Sequence, residues 1–205
     1  MSREPAIKRT IAFVDGQNLF GSARDAFGIR QPSFDVVALA RAVSLQRGWR
    51  LEGVRFYTGV PEASDRPALH DMWARQLRRM RSCGVVVTTR HVRRRRRRGL
   101  LDDGRLVDVT VFEEKGIDLR IALDVVRALI AGECDVVLLF SQDQDFAELA
   151  DEVRFVARRQ CRWVKIASAF PVGPGTRNRR GVDHTDWVPI DSAMWEACLD
   201  RRGRL

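Results

Sequence analysis

Strand-like and helix-like segments alternate along this chain from end to end, and that alternation constrains its fold more than any other feature. Two apolar runs, Ile11–Val14 in "AIKRTIAFVDGQN" and Val136–Phe140 in "CDVVLLFSQDQD", are short and uninterrupted, as in strands buried on both faces. "RLEGVRFYTGV", the β-branched "VVVTTRHV" and "CRWVKIASAF" read as three more strands. Between them lie segments with apolar residues at helical spacing. "FDVVALARAVSLQRG" closes on Gly48, and "DRPALHDMWARQLRRMRSCG" opens with an acidic cap and Pro67 in its first turn. "IDLRIALDVVRALIAG" closes on Gly132, and "FAELADEVRFVARRQ" is amphipathic. The first strand is expected to end in a turn at Asp15-Gly16, and a β-hairpin is expected where Asp103-Gly104 separates alternating segments. "PVGPGTRNRRGVDHTDW" reads as irregular, ahead of a short helix near "SAMWEACLD". The predicted class is α/β: a mostly parallel sheet with helices on both faces, plus a β-hairpin insertion.

A chain of 205 residues, 45% hydrophobic, is long enough to bury a core and suits one domain. No apolar stretch reaches the roughly 18 residues of a membrane span, and the N-terminus lacks a signal peptide's apolar core. A cytoplasmic location without membrane association is therefore expected. Cys83, Cys134, Cys161 and Cys198 are isolated, which argues against both a zinc site and a disulfide framework.

The strand ends carry the chemistry. In open α/β sheets, ligands bind beyond the carboxyl ends of the strands, where strand order reverses. Asp15 follows the first strand directly, Asp143 and Asp145 follow "VVLLF", and Asp118 opens the helix after "EEKG". Crowded carboxylates raise one another's pKa, so such a cluster is unfavourable without a cation. Hard oxygen donors suit Mg²⁺ or Mn²⁺. Each acid also has an ordinary structural reading. "SQDQ" fits a capping box, Asp118 fits a first-turn acid, and Asp15 fits a turn former.

"FVDGQNLF", "EEKGIDLRIALDVV" and "VVLLFSQDQDFAELADEV" resemble, in order and spacing, the motifs of the NYN domain, a branch of the PIN-like nucleases, with the bacterial LabA-like group the nearest in look. The resemblance runs from about Ile7 to Phe170. It implies a Rossmann-like sheet and an acidic, metal-dependent ribonuclease site. The nuclease domain would span 1–170, with 171–205 an extension packed on it. By position, Asp15, Asp118 and Asp143 would be the metal ligands. Asn18 would orient the Asp15 carboxylate or a water, and Asp145 would complete the catalytic set directly or through water. Asp124, about 240° around the helix from Asp118, would lie outside the site as a structural partner. Two departures stand out: the six-arginine insertion before the hairpin, and Gln142, where the family commonly has Gly. That bulk would either narrow the site or face outward.

The net charge of +9 falls to +3 without the six consecutive arginines Arg93, Arg94, Arg95, Arg96, Arg97 and Arg98. Placed at the start or tip of the hairpin, these arginines would grip a nucleic-acid backbone beside the carboxylates. A solvated loop and a localisation-like signal are the alternatives. Lys115, beside Asp118, would bind the scissile phosphate or pair with Glu113 or Glu114. The expected activity is hydrolysis of RNA, single-stranded or structured, with water attacking phosphorus in line and a 5′-phosphate left behind. A non-catalytic RNA-binding module is the alternative, and a homodimer is possible in either case. "VDGQN" lacks the second aspartate of a haloacid-dehalogenase-type phosphatase, and no GxxxxGK[ST] loop occurs.

Overall fold

The computed structural model describes residues 3–29, 34–100, 105–113 and 116–199. In chain order the elements are β1 (Arg9–Asp15), α1 (Gly16–Phe27), α2 (Val36–Gln46), β2 (Arg50–Pro61), α3 (Pro67–Ser82), β3 (Val86–Leu100) and β4 (Leu106–Glu113). There follow α4 (Ile117–Ile130), β5 (Val136–Phe140), a 3₁₀ turn (Gln144–Phe146), α5 (Ala147–Arg159), β6 (Lys165–Pro171), β7 (Asp186–Ile190) and α6 (Ser192–Ala197). One seven-stranded sheet runs β4-β3-β2-β1-β5-β6-β7. Every neighbouring pair is parallel except β3–β4. This is the mostly parallel, Rossmann-like α/β architecture with a hairpin that the alternation predicts.

The uninterrupted apolar runs have a direct cause. Ala12, Val14, Val136, Leu138 and Phe140 enter one core, shared with α1, α2, α3 and α6. Ile11, Phe13, Val137 and Leu139 enter the other, shared with α4 and α5. Successive strand residues point to opposite faces, so a strand covered on both sides has no polar position to spare. Each fully buried Leu or Phe contributes about 1.5–3 kcal/mol by leaving water. The two cores clamp β1 and β5 at the centre of the sheet, where the chain goes one way to β2 and β3 and the other way to β6. That is the switch point at which ligands gather.

Three local readings change. The expected turn after β1 is a 12-residue helix, because Asp15 caps α1 by accepting a hydrogen bond from the Asn18 backbone N–H at 3.1 Å. Gly16 makes this tight entry possible, since a Cβ there would lie 2.5 Å from the Phe56 ring and 2.9 Å from the Tyr57 carbonyl oxygen. The N-cap of α3 is Arg66, with no side-chain cap, and Pro67 begins the helix. The arginine run lies at the start of the hairpin, as expected, and forms most of its first arm. β3 continues straight through it, leaving β2 at Val92 and pairing antiparallel with β4 from Arg93↔Glu113 to Leu100↔Leu106. Asp103-Gly104 lies outside the described residues. Finally, the segment read as irregular ends in a strand, β7, which adds to the sheet edge beside β6. Its Pro189 is tolerated there because an edge strand can spare one N–H.

Candidate active site

Three strand-to-helix junctions meet at the switch point. Asp15 ends β1, Asp143 follows β5, and Asp118 lies in the first turn of α4, after Gly116 in the left-handed conformation (φ +82°). Asp15, Gln17, Asn18, Gly116, Ile117, Asp118 and Asp143 line one cavity of about 290 Å³. The capping readings and the site readings describe the same geometry. Asp15 caps α1, and Asp143 caps the 3₁₀ turn through Oδ1, which accepts from the Asp145 N–H at 3.1 Å. Helix N-termini concentrate unpaired N–H groups, and these favour anionic charge.

Electrostatics at the cavity oppose that charge. Burial, with 6% of Asp15 exposed, pushes its carboxyl up to about 6, against the lowering effect of the Asn18 N–H. The charges of Asp118 and Asp143 add to the rise. The Asp118 carboxyl is also raised, by desolvation first and then by Asp143 and Asp145. Among the described residues, no three His, Cys, Asp or Glu side chains converge closely enough to hold a metal ion together as they stand. The carboxylates instead surround a space. Their mutual repulsion and the hard oxygen donor set fit a cation that retains part of its water shell, as Mg²⁺ usually does.

Asn18 joins two of the junctions. Its backbone N–H caps onto Asp15, and its side-chain oxygen accepts from the Gln142 N–H at 2.9 Å. This assigns the amide orientation, and the Asn18 NH₂ is the end left to serve the cavity. Gln142 does not narrow the site. Its NH₂ donates away from the carboxylates, to the carbonyl oxygens of Asn178 (2.9 Å) and Arg180 (2.8 Å). Gln144 repeats the device. It donates to the Gly181 carbonyl at 3.0 Å and accepts from the Asp183 N–H at 3.1 Å, so the "SQDQ" capping box does not form. Ser168 completes the attachment, donating to the Ser141 carbonyl and accepting from the Val182 N–H. The two glutamines thus fasten the β6–β7 connection to the end of β5.

The other candidates divide. Asp145 is exposed and lies outside the cavity lining, although its charge reaches Asp118. Asp124 is buried on a different side of α4 from Asp118, accepting from the Tyr57 hydroxyl (3.0 Å) and Arg120 Nε (2.9 Å). Lys115 lies outside the described residues, as do the side chains of Arg93, Arg94, Arg95, Arg96 and Arg97; that of Arg98 is exposed. His70, His91 and His184 sit against the Pro61 carbonyl, Glu62 and Asp151, away from the cavity. Reasoning from sequence missed Gln17, which lines both this cavity and a larger neighbouring one. Its only signal is its place in "DGQN", one residue before Asn18.

A family model described as the NYN domain matches residues 9–172. Comparison with curated proteins gives no match. Among solved structures, the crystal structure of a protein of unknown function from Vibrio parahaemolyticus aligns with a TM-score of 0.57 at 19% identity, covering 93% of this chain and 97% of that one. That likeness is one of fold.

Proposed function

The chain belongs to the NYN domain family, in the PIN-like nuclease superfamily, and on that premise we propose that it is an endoribonuclease dependent on Mg²⁺ or Mn²⁺. The observation that carries the reading is the convergence of Asp15, Asp118 and Asp143, from three separate junctions, on one cavity at the switch point. These three side chains would hold the cation. When bound, a divalent ion lowers the pKa of water and offsets charge on the phosphate. The protein's own part is positional. Asp15 is locked by its capping bond, Asn18 ties that carboxylate to the Asp143 junction, and the helix N-termini favour the anionic substrate beside them. Asp145 serves as an outer carboxylate facing Asp118. The arginine strand, roughly 20 Å of backbone at 3.3 Å per residue, leaves β2 beyond the carboxyl edge and would track the RNA backbone, aided by Lys115.

The test is cleavage of a mixed single-stranded RNA panel with Mn²⁺ or Mg²⁺, with end-group analysis. Products with 5′-phosphates, sensitivity to EDTA and loss of cutting in both Asp15→Asn and Asp143→Asn are expected. Undiminished cutting by both variants refutes the mechanism. That no three carboxylates among the described residues form a ready metal-binding group favours one second reading, an RNA-binding module without turnover. Metal-dependent cutting in the same assay excludes it.

A further inference from the structure

Next to the acidic cavity lies a larger one of about 640 Å³, and nothing in the cleavage chemistry uses it. Gln17 belongs to the walls of both, so the two adjoin at the carboxyl edge of the sheet. The second cavity opens between α1 and α3, over the ends of β2 and β3. Its size is within the roughly 300–1,000 Å³ of small-ligand sites. Its apolar lining comes from Phe20 of α1 and from Leu69, Met72 and Trp73 of α3. Arg24 and Arg66 complete the lining with positive charge. Gly21 leaves a gap in the α1 wall, for a Cβ there would meet nothing within 4 Å.

An aromatic and aliphatic slot flanked by arginines and adjoining the carboxylate cavity has the chemistry of a stacking site. We propose that this cavity receives one unpaired nucleobase of the bound strand, flanking the phosphate at the carboxylates. The base would lie against the Phe20 ring and the Met72 thioether, with Arg24 and Arg66 meeting the adjoining phosphates. A base held in a duplex cannot enter, so the cavity selects single-stranded or looped substrate. The proposal rests on the nuclease reading for its substrate, but it makes a separate claim about binding.

The experiment is a titration of short single-stranded RNAs, each with 2-aminopurine at one position, in EDTA so that no strand is cut. Fluorescence should be quenched strongly at one position of the strand. Gly21→Met would fill the slot from a helical position with room for a side chain, and Phe20→Ala would remove its ring. Both should abolish the quench at that position and weaken binding by about 5- to 100-fold. Phe20→Trp should restore both. Thermal melting of Gly21→Met at or above the wild-type temperature separates blockage from unfolding. Unchanged quenching and affinity in Gly21→Met, or equal fluorescence at every position, overturns the proposal. Position-specific quenching lost in Gly21→Met, in a protein that never cuts with Mn²⁺, would sink the nuclease reading and uphold the base site. Cutting without any quench would do the reverse.

Discussion

Replacing Asp15 with Asn should make the metal-free protein more stable. Burial raises the Asp15 carboxyl from an ordinary 3.8 to about 6, a rise of about 2 units. At about 1.4 kcal/mol per unit, holding this carboxylate ionised costs the native state about 3 kcal/mol at pH 7.5. The amide is isosteric, uncharged and still able to accept the Asn18 N–H, so Asp15→Asn removes that cost and keeps the cap. The sign follows from proton counts. Between pH 4 and 6 the native state keeps a proton on Asp15 that the unfolded chain has released, so wild-type stability falls as pH rises through that window. Asp15→Asn lacks this slope. The gap between the two proteins should therefore be near zero at pH 4 and about 3 kcal/mol at pH 7.5 in EDTA. For a chain of this length that is a rise in melting temperature of roughly 6–12 °C. Mn²⁺ should then raise the wild type and not the variant, by about 2.7 kcal/mol at a hundredfold excess over Kd. Calorimetry at several pH values, with EDTA and with Mn²⁺, measures all of this. Equal pH slopes in the two proteins, or a variant less stable at pH 7.5, would refute the reasoning that this carboxylate is destabilised in wait for a cation.

At limiting metal, cleavage should rise with pH through about 6 as Asp15 gives up its proton. The inflection should move to lower pH as metal is raised, because cation and proton compete; a profile indifferent to metal concentration contradicts this. Gln142→Gly should free the segment around Asn178–Arg180, seen as faster hydrogen exchange there, with cutting at saturating RNA unchanged. Gly16→Ala should lower stability by about 1–3 kcal/mol through steric conflict with Phe56 and Tyr57, whereas Gly21→Ala should raise it by up to about 1 kcal/mol; melting temperatures compare the two. Replacing Arg93–Arg98 with Gln should reduce the salt dependence of RNA binding, by about 0.7 in slope for each phosphate that is no longer neutralised.

The layered sheet was legible because its signals are local. An apolar run such as Val136–Phe140 needs no knowledge of its neighbours to be recognised as buried on both faces. The acids were legible for the same reason, since each follows a recognisable strand or opens a recognisable helix. α1 was missed because "DGQN" carries a turn signal as strong as its capping signal, and only the Asp15–Asn18 bond decides between them. β7 was missed because its five residues, Pro189 among them, show no strand pattern until β6 supplies an edge.

Periodicity and the residues at the segment ends determined, without coordinates, a parallel α/β sheet with carboxylates at its carboxyl edge. Distance in space decided the rest. Sequence places Gln142 beside Asp143, yet its side chain serves carbonyls 36 and 38 residues away. It places six arginines in a run, yet their pairing with β4 makes them a strand. Gln17 borders two cavities because α1 starts at the end of β1, against Phe56 and Tyr57 of β2, a relation that exists only once strands far apart in the chain lie side by side. Local pattern encodes which surfaces a segment buries; the partners of a polar side chain depend on long-range packing, which leaves no periodic trace in the chain.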